Sequence, residues 1–115
     1  MKLHVAIASI IAIGAASGAA VAEQRPAQCK LVVKGKTYID GRCNFEADKD
    51  GSFRIFGKDY FAYVSMFEGK ADASWNADPK STHAHSPLGE LKRKGACWEN
   101  ATARICAREL PAGTR

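Results

Sequence analysis

The sequence predicts a single all-β domain, a small antiparallel β-barrel or sandwich held by two disulfide bonds. Short runs of alternating apolar and polar residues recur along the chain, and turn residues separate them roughly every eight to twelve positions. Four cysteines occur in 115 residues. With 46% hydrophobic and 25% charged residues, the chain has the composition of one globular unit and is too short for two domains.

The first 22 residues are predicted to be a secretory signal peptide. Lys2 precedes an uncharged stretch, residues 5–22, that ends in Ala-Val-Ala, and the sequence becomes polar at Glu23. A basic start, an apolar run and an A-x-A ending are the parts of such a peptide. The alternative, a membrane anchor, is disfavoured because Ala and Gly dominate its second half. We expect cleavage after Ala22, a mature domain of residues 23–115 with no membrane span, and a periplasmic or secreted location.

Four cysteines follow the predicted cleavage site, at Cys29, Cys43, Cys97 and Cys106. An even number in a short exported domain indicates disulfides, because an oxidising compartment preserves them and a thin core needs them. The absence of a C-x-x-C pair argues against zinc. Pairing Cys29 with Cys43 and Cys97 with Cys106 would staple two hairpins and is preferred. The nested pairing, Cys29 with Cys106 and Cys43 with Cys97, stays open.

The first strands are separated by turn residues. Residues 30–33 and 37–39 flank a turn centred on Gly35. Residues 42–46 alternate polar and apolar, as a half-buried strand does, and an Asp-Lys-Asp-Gly turn separates them from the alternating residues 52–56. The pattern is typical of antiparallel neighbours.

The second half contains the most apolar segment and the longest predicted loop. Residues 60–67 are predicted to form the central strand, and residues 71–76 the next one after a Glu-Gly-Lys turn. A long irregular loop is expected over residues 78–89, and strands at residues 90–94 and on both sides of the turn between the last two cysteines. The predicted core contains the large residues at alternating positions: Phe53, Ile55, Phe61, Tyr63, Trp75 and Ile105.

Residues able to carry catalysis or bind a metal are few. His83 and His85 lie two positions apart, but Asp78 is the nearby carboxylate and a third ligand is not evident once the cysteines are paired. Ser81 and Ser86 lack the motif of a nucleophile elbow. We therefore expect no metal, no cofactor and no enzymatic activity.

A basic run, Lys92-Arg93-Lys94, lies on a predicted strand. Such runs usually protect a solvated edge strand from aggregation, and the functional alternative is contact with an anionic envelope glycan or lipid. The net charge of +5 is mild, so nucleic acid is not an expected partner of an exported protein. An anion-binding envelope protein using Lys92, Arg93 and Lys94 is one hypothesis; a structural or stress protein without a defined ligand is another.

The layout of leader, small all-β domain and two disulfides resembles the periplasmic inhibitors of c-type lysozyme, which are disulfide-linked antiparallel barrels. That family places a Ser-containing loop and a Lys-Gly segment into the lysozyme cleft; the matching positions here are Ser86 and Lys94-Gly95. The family's Ser-Gly…Tyr and Trp-x-Lys-Gly segments are absent as such. The resemblance implies a non-enzymatic inhibitor that plugs the lysozyme active site with Ser86 and Lys94. His83 and His85, in the same loop as Ser86, are expected to contact the enzyme as well, because its acidic catalytic residues would accept a Lys or His donor.

Overall fold

Eight antiparallel strands form a closed barrel in the computed structural model, which describes residues 23–110. The strands are β1 (Gln24–Val33), β2 (Lys36–Ala47), β3 (Phe53–Phe56), β4 (Phe61–Phe67), β5 (Lys70–Trp75), β6 (Ser86–Lys94), β7 (Cys97–Glu99) and β8 (Ala103–Glu109). Each strand pairs with the next, and β8 pairs with β1 to close the barrel. The predicted all-β class is therefore confirmed, as a barrel. The predicted signal peptide, residues 1–22, lies outside the described residues.

Each disulfide joins the two strands of a single hairpin, the first β1 to β2 and the second β7 to β8. The preferred local pairing is therefore confirmed. Cys29 and Cys43 connect β1 to β2 and are buried inside the barrel. Cys97 and Cys106 are direct partners in the register between β7 and β8, and they lie partly exposed on the outer surface. All four cysteines are bonded, as expected for a domain whose small core needs covalent support.

The core consists of side chains at alternating strand positions that point into the barrel. Leu31, Ile55 and Ile105 have no accessible surface. Four of the six predicted core residues are buried: Phe53, Ile55, Trp75 and Ile105. Strand alternation combined with closure of the sheet therefore gives one continuous apolar interior.

The prediction that Phe61 and Tyr63 lie in the core is wrong. Strand β4 buries the opposite set of residues, Ala62 and Val64, and leaves both rings on the outer surface. Ala62 pairs with Trp75 across the sheet. A narrow barrel has to combine small with large inward side chains to fill its interior, so the bulky indole requires a small neighbour.

The outward aromatic residues form a contiguous patch, the aromatic wall, made of Phe56, Phe61 and Tyr63. Their ring centroids are 5.6 to 6.2 Å apart, and the Arg54 guanidinium lies 6.0 Å from the Tyr63 centroid. Each ring shields its neighbours, and all three are half-buried. Phe67, further along β4, is 73% exposed.

Beside the aromatic wall, Arg54 holds two carboxylates. Its Nε donates to Glu46 at 2.9 Å, and its terminal nitrogens donate to Asp48 at 3.0 and 3.1 Å. A hydrogen bond from the Gln24 amide, followed by those from Arg54, holds the pKa of Glu46 below its ordinary value of 4.5. The ionised form of Glu46 is therefore stabilised by folding.

We expect this hydrogen bonding to produce an acid-dependent loss of stability. Because the pKa of Glu46 is lower in the folded state, its contribution is complete above pH 4.5 and disappears as the pH falls through the folded value. Urea unfolding measured from neutral pH downward should show a shallower decline below about pH 4.5 for Glu46→Gln than for the parent protein. Glu68→Gln, at the exposed β4–β5 turn, is the control. Identical acid profiles for the parent and Glu46→Gln would contradict this.

The connections between strands alternate between two ends of the barrel, since neighbouring strands are antiparallel. One end, the loop end, carries the β1–β2, β3–β4, β5–β6 and β7–β8 connections. The other, the terminal end, carries the remaining turns, the start of β1 and the end of β8. The longest connection between described strands, residues 76–85, lies at the loop end.

The predicted loop at 78–89 is wrong in its bounds, because residues 86–89 belong to β6. Ser86 pairs with Trp75 and Gly89 with Ala73, and Leu88 lies between them as a bulge. Gly89 has a φ of +86°, which favours glycine. The bulge turns Leu88 into the core, and it interrupts the polar–apolar alternation that a regular strand would show.

Candidate binding site at the loop end

The start of the 76–85 loop is fixed by a buried asparagine. Asn76 is 1% exposed. Its Oδ1 accepts a hydrogen bond from the Phe61 backbone N–H at 2.7 Å, and its Nδ2 donates to the Asp59 and Asp78 carbonyls at 3.0 and 3.3 Å. A buried amide with satisfied polar atoms holds the segments it bridges in one arrangement. Asn76 therefore joins the loop to the β3–β4 connection.

A second asparagine fixes the opposite side of the loop end. The Asn100 Nδ2 donates to the carbonyls of Leu88 and Glu90 at 2.9 and 3.1 Å. Its Oδ1 accepts from the Thr102 N–H at 2.7 Å, and the Thr102 carbonyl accepts from the Lys34 N–H at 2.8 Å. The β7–β8 turn, the bulged part of β6 and the β1–β2 turn are thereby linked.

Two imidazoles lie on the surface of the loop. His83 and His85 are exposed, and their ring centroids are 5.2 Å apart in an edge-to-face arrangement. The Ser81 hydroxyl donates to the His83 carbonyl at 2.9 Å, which folds the loop back on itself. Within residues 23–110, neither imidazole forms an ion pair, and no group of three or more His, Cys, Asp or Glu side chains is placed to hold a metal ion. The His83 Nδ1 is hydrogen-bonded to the Thr82 hydroxyl at 3.2 Å, which leaves its Nε2 to face an external group.

Ser86 borders a groove of about 340 Å³ at the same end of the barrel. Tyr38 and Trp75 also line this groove, and Tyr60 packs against both. The centroid distances among these three rings are 4.6 to 5.8 Å. Aromatic pairs at such distances stabilise one another by about 0.5–1.5 kcal/mol each, so this end of the barrel is well packed.

Tyr38 is a residue of this site that sequence reasoning missed. The register of β1 with β2 passes from Leu31–Ile39 to Val32–Thr37, which leaves Tyr38 without a partner. The resulting bulge directs its ring toward Trp75 at the barrel end. Nothing in the alternation of residues 37–39 distinguishes such a bulge from a regular strand.

Lys94 lies far from the other residues of the predicted partner-binding set. Strand β6 runs from Ser86 at the loop end to Lys94 at the terminal end. At about 3.3 Å per residue, the two are separated by about 26 Å. The structure therefore brings His83, His85 and Ser86 to one end of the barrel and places Lys94 at the other.

The predicted basic run is also divided. Lys92 and Lys94 point outward, whereas Arg93 occupies an inward-facing position at the terminal end. The Arg93 guanidinium lies 5.7 Å from the Trp98 ring centroid, and its Nε donates to the Gly95 carbonyl at 3.1 Å. The three charges therefore do not form one strip.

The loop end carries more exposed cations than carboxylates. Its exposed charged residues are Lys34, Lys36, Lys58, Lys80, Asp59 and Asp78. With the two imidazoles, this surface offers several hydrogen-bond donors to an acidic partner.

Within residues 23–110 there is no helix that could cross a membrane.

Comparisons with known proteins identify no relative of this chain. No protein-family model, curated protein or solved structure matches this chain.

Proposed function

We propose that the protein is a non-enzymatic binding protein of the cell envelope that inserts its loop end into the active-site cleft of a c-type lysozyme. The proposal is carried by residues 76–85. This longest connection of the described barrel is held at its start by Asn76 and at its end by the pairing of Ser86 with Trp75. It presents two exposed imidazoles beside a groove.

A loop that is ordered before binding favours the plugging of a cleft. Binding orders flexible segments at a cost of roughly 0.5–1.5 kcal/mol per immobilised side chain, so a fixed loop retains more of its contact energy. The hydrogen bonds of Asn76 and Ser81 supply that order. The packed rings of Tyr38, Tyr60 and Trp75 lie at the same end of the barrel as the loop.

The charges of the loop end support an acidic target. A lysozyme cleft contains catalytic carboxylates, and imidazole or ammonium donors form charge-assisted hydrogen bonds with such groups. A basic lysozyme repels a chain with a positive net charge at long range. Selectivity would therefore come from short-range contacts made by His83, His85 and Ser86.

The two disulfides support a location in the cell envelope. Disulfide bonds persist in oxidising compartments such as the periplasm and are rare in the cytosol. Both bonds lie within hairpins and stabilise the barrel that positions the loop. An envelope location would also bring the protein to the place where lysozyme attacks the cell wall.

Titration of the purified protein into c-type lysozyme acting on cell walls tests the proposal. We expect inhibition at micromolar concentration. Substitution of both histidines (His83→Ala with His85→Ala) should weaken it roughly tenfold or more, because the central contacts of an interface carry most of its energy. Ser86→Ala should weaken it less. The control pair, Lys49→Ala with Lys70→Ala, lies at the terminal end and should leave inhibition unchanged.

Two outcomes would contradict the proposal. Absence of inhibition at micromolar protein would remove lysozyme as the partner. Inhibition that survives the histidine substitutions but is lost in Lys94→Ala would place the contact at the terminal end of the barrel.

A further inference from the structure

One side of the barrel carries six outward cations from four strands. The outward cations on β1, β2, β6 and β8 are Lys30, Arg42, Lys92, Lys94, Arg104 and Arg108. Two carboxylates lie directly across from these cations, since Asp40 pairs with Lys30 and Glu99 pairs with Lys92 and Arg104, and two more, Glu46 and Glu90, lie further along the outward faces of β2 and β6. The six cations, Asp40 and Glu99 form the basic wall. With six cations and two carboxylates, these eight residues carry a surplus of four positive charges.

A depression of about 320 Å³ lies in the middle of the basic wall. Lys30, Arg104 and Arg108 line it, together with the disulfide between Cys97 and Cys106. Register explains this arrangement, since Lys30 pairs with Cys106, and Cys106 pairs with Cys97. The disulfide gives the depression an uncharged centre, with three cationic side chains and the Asp40 carboxylate around it.

Carboxylates inside the wall neutralise only part of this charge. Arg104 is 3.6 Å from Glu99, in an exposed ion pair, and Lys30 lies across from Asp40. Exposed pairs of this kind contribute little stability, so an incoming anion can compete for Arg104. Arg108 lies across from the neutral Gln28.

We propose that the basic wall binds an anionic polysaccharide, with one sugar unit in the depression and its acidic group held by Lys30, Arg104 and Arg108. The depression has the size of a small ligand site. Guanidinium groups match planar or tetrahedral anions with paired hydrogen bonds. Lys92, Lys94 and Arg42 extend the contact to neighbouring units. This surface is separate from the loop end, so it adds a second binding partner to the proposed function.

A polymer fits the basic wall better than a lipid surface does. The wall is the convex outside of a barrel, which a flexible chain can follow and a flat bilayer touches only along a strip. Stable attachment to a bilayer also draws on buried apolar side chains. Phe67, the exposed large apolar residue of the described chain, lies on β4, half-way round the closed barrel from β8.

The sequence suggests anion binding by one basic strand, whereas we assign it to a surface formed by several strands. Arg93 leaves the set because it packs on Trp98. Lys30 and Arg42 join it from the first hairpin, and Arg104 and Arg108 join it from the last strand. Closure of the barrel through β1 and β8 brings these distant segments together.

The test is calorimetric titration of the purified protein with polygalacturonate and with dextran sulfate, using neutral dextran as the blank. We expect binding to the anionic polymers that weakens as NaCl is added. The triple variant Lys30→Gln, Arg104→Gln and Arg108→Gln should bind roughly tenfold or more weakly. The charge-matched control, Lys49→Gln, Lys58→Gln and Lys70→Gln, removes three exposed cations outside the wall and should bind within about twofold of the parent.

Two measurements distinguish loss of binding from failure of folding. The triple variant of Lys30, Arg104 and Arg108 should retain the near-ultraviolet circular dichroism of the parent and its inhibition of lysozyme. Equal losses in the two triple variants would show that only net charge matters and would overturn the proposal. So would the absence of binding to both anionic polymers at low salt. Binding to phosphatidylglycerol vesicles without binding to either polymer would assign the wall to a lipid surface instead.

Discussion

Ile55→Ala should lower the free energy of unfolding by about 2–5 kcal/mol, more than a substitution on the outer surface. Ile55 has no accessible surface and lies in the sheet between Phe45 and Ala62. Removal of its side chain therefore leaves a cavity in a closed interior, where neighbouring strands have little freedom to collapse. Equilibrium unfolding in urea measures the effect.

Phe61→Ala is the matched comparison, because it removes a larger side chain from the aromatic wall. The ring is half-buried by Phe56 and Tyr63, so its loss costs the contacts of a surface cluster and creates no enclosed cavity. We expect a smaller destabilisation than for Ile55→Ala. A larger one would contradict the outward orientation of β4's aromatic residues.

Removal of the Cys29–Cys43 bond, by Cys29→Ala with Cys43→Ala, should destabilise the protein by about 2–4 kcal/mol. The bond spans 14 positions and restricts the unfolded chain. Both sulfur atoms also fill the core, since the two cysteines are 2% and 5% exposed. Urea unfolding of the oxidised protein provides the measurement.

The Cys97–Cys106 bond is the internal comparison. It spans 9 positions and lies partly outside the barrel. Cys97→Ala with Cys106→Ala should therefore cost less than loss of the first bond, because a shorter chain segment is released and no core volume is lost. A greater cost for the exposed bond would show that core filling by Cys29 and Cys43 contributes little.

The succession of strands along the chain was predictable because turn residues and alternation agree along most of its length. Gly35, Gly51, Gly69 and Gly95 adopt positive φ values in the turns, a conformation that glycine tolerates and other residues rarely adopt. The preferred disulfide pairing followed from the same hairpins. These features depend on residues that are close together in the chain, so they can be recognised from one sequence.

The errors arose where the decisive interactions are distant in sequence. Both faces of residues 60–67 are apolar, so alternation could not assign Phe61 and Tyr63 to a face; the space left beside Trp75 decided it. The bulge at Leu88 concealed the beginning of β6. The residues of the basic wall come together only when the barrel closes, so no local sequence pattern predicts this surface.

Closure by the first and last strands has a consequence for the order of folding. Leu31 pairs with Ile105, so the barrel cannot close until nearly the entire described chain is present. Contacts between such distant residues form slowly, and the unpaired edges of β1 and β8 are open to aggregation in the meantime. Each disulfide lies within one of the two hairpins that must meet, β1–β2 and β7–β8. Disulfide formation can therefore stabilise both hairpins before β1 pairs with β8. Productive folding then depends on the redox state of the compartment.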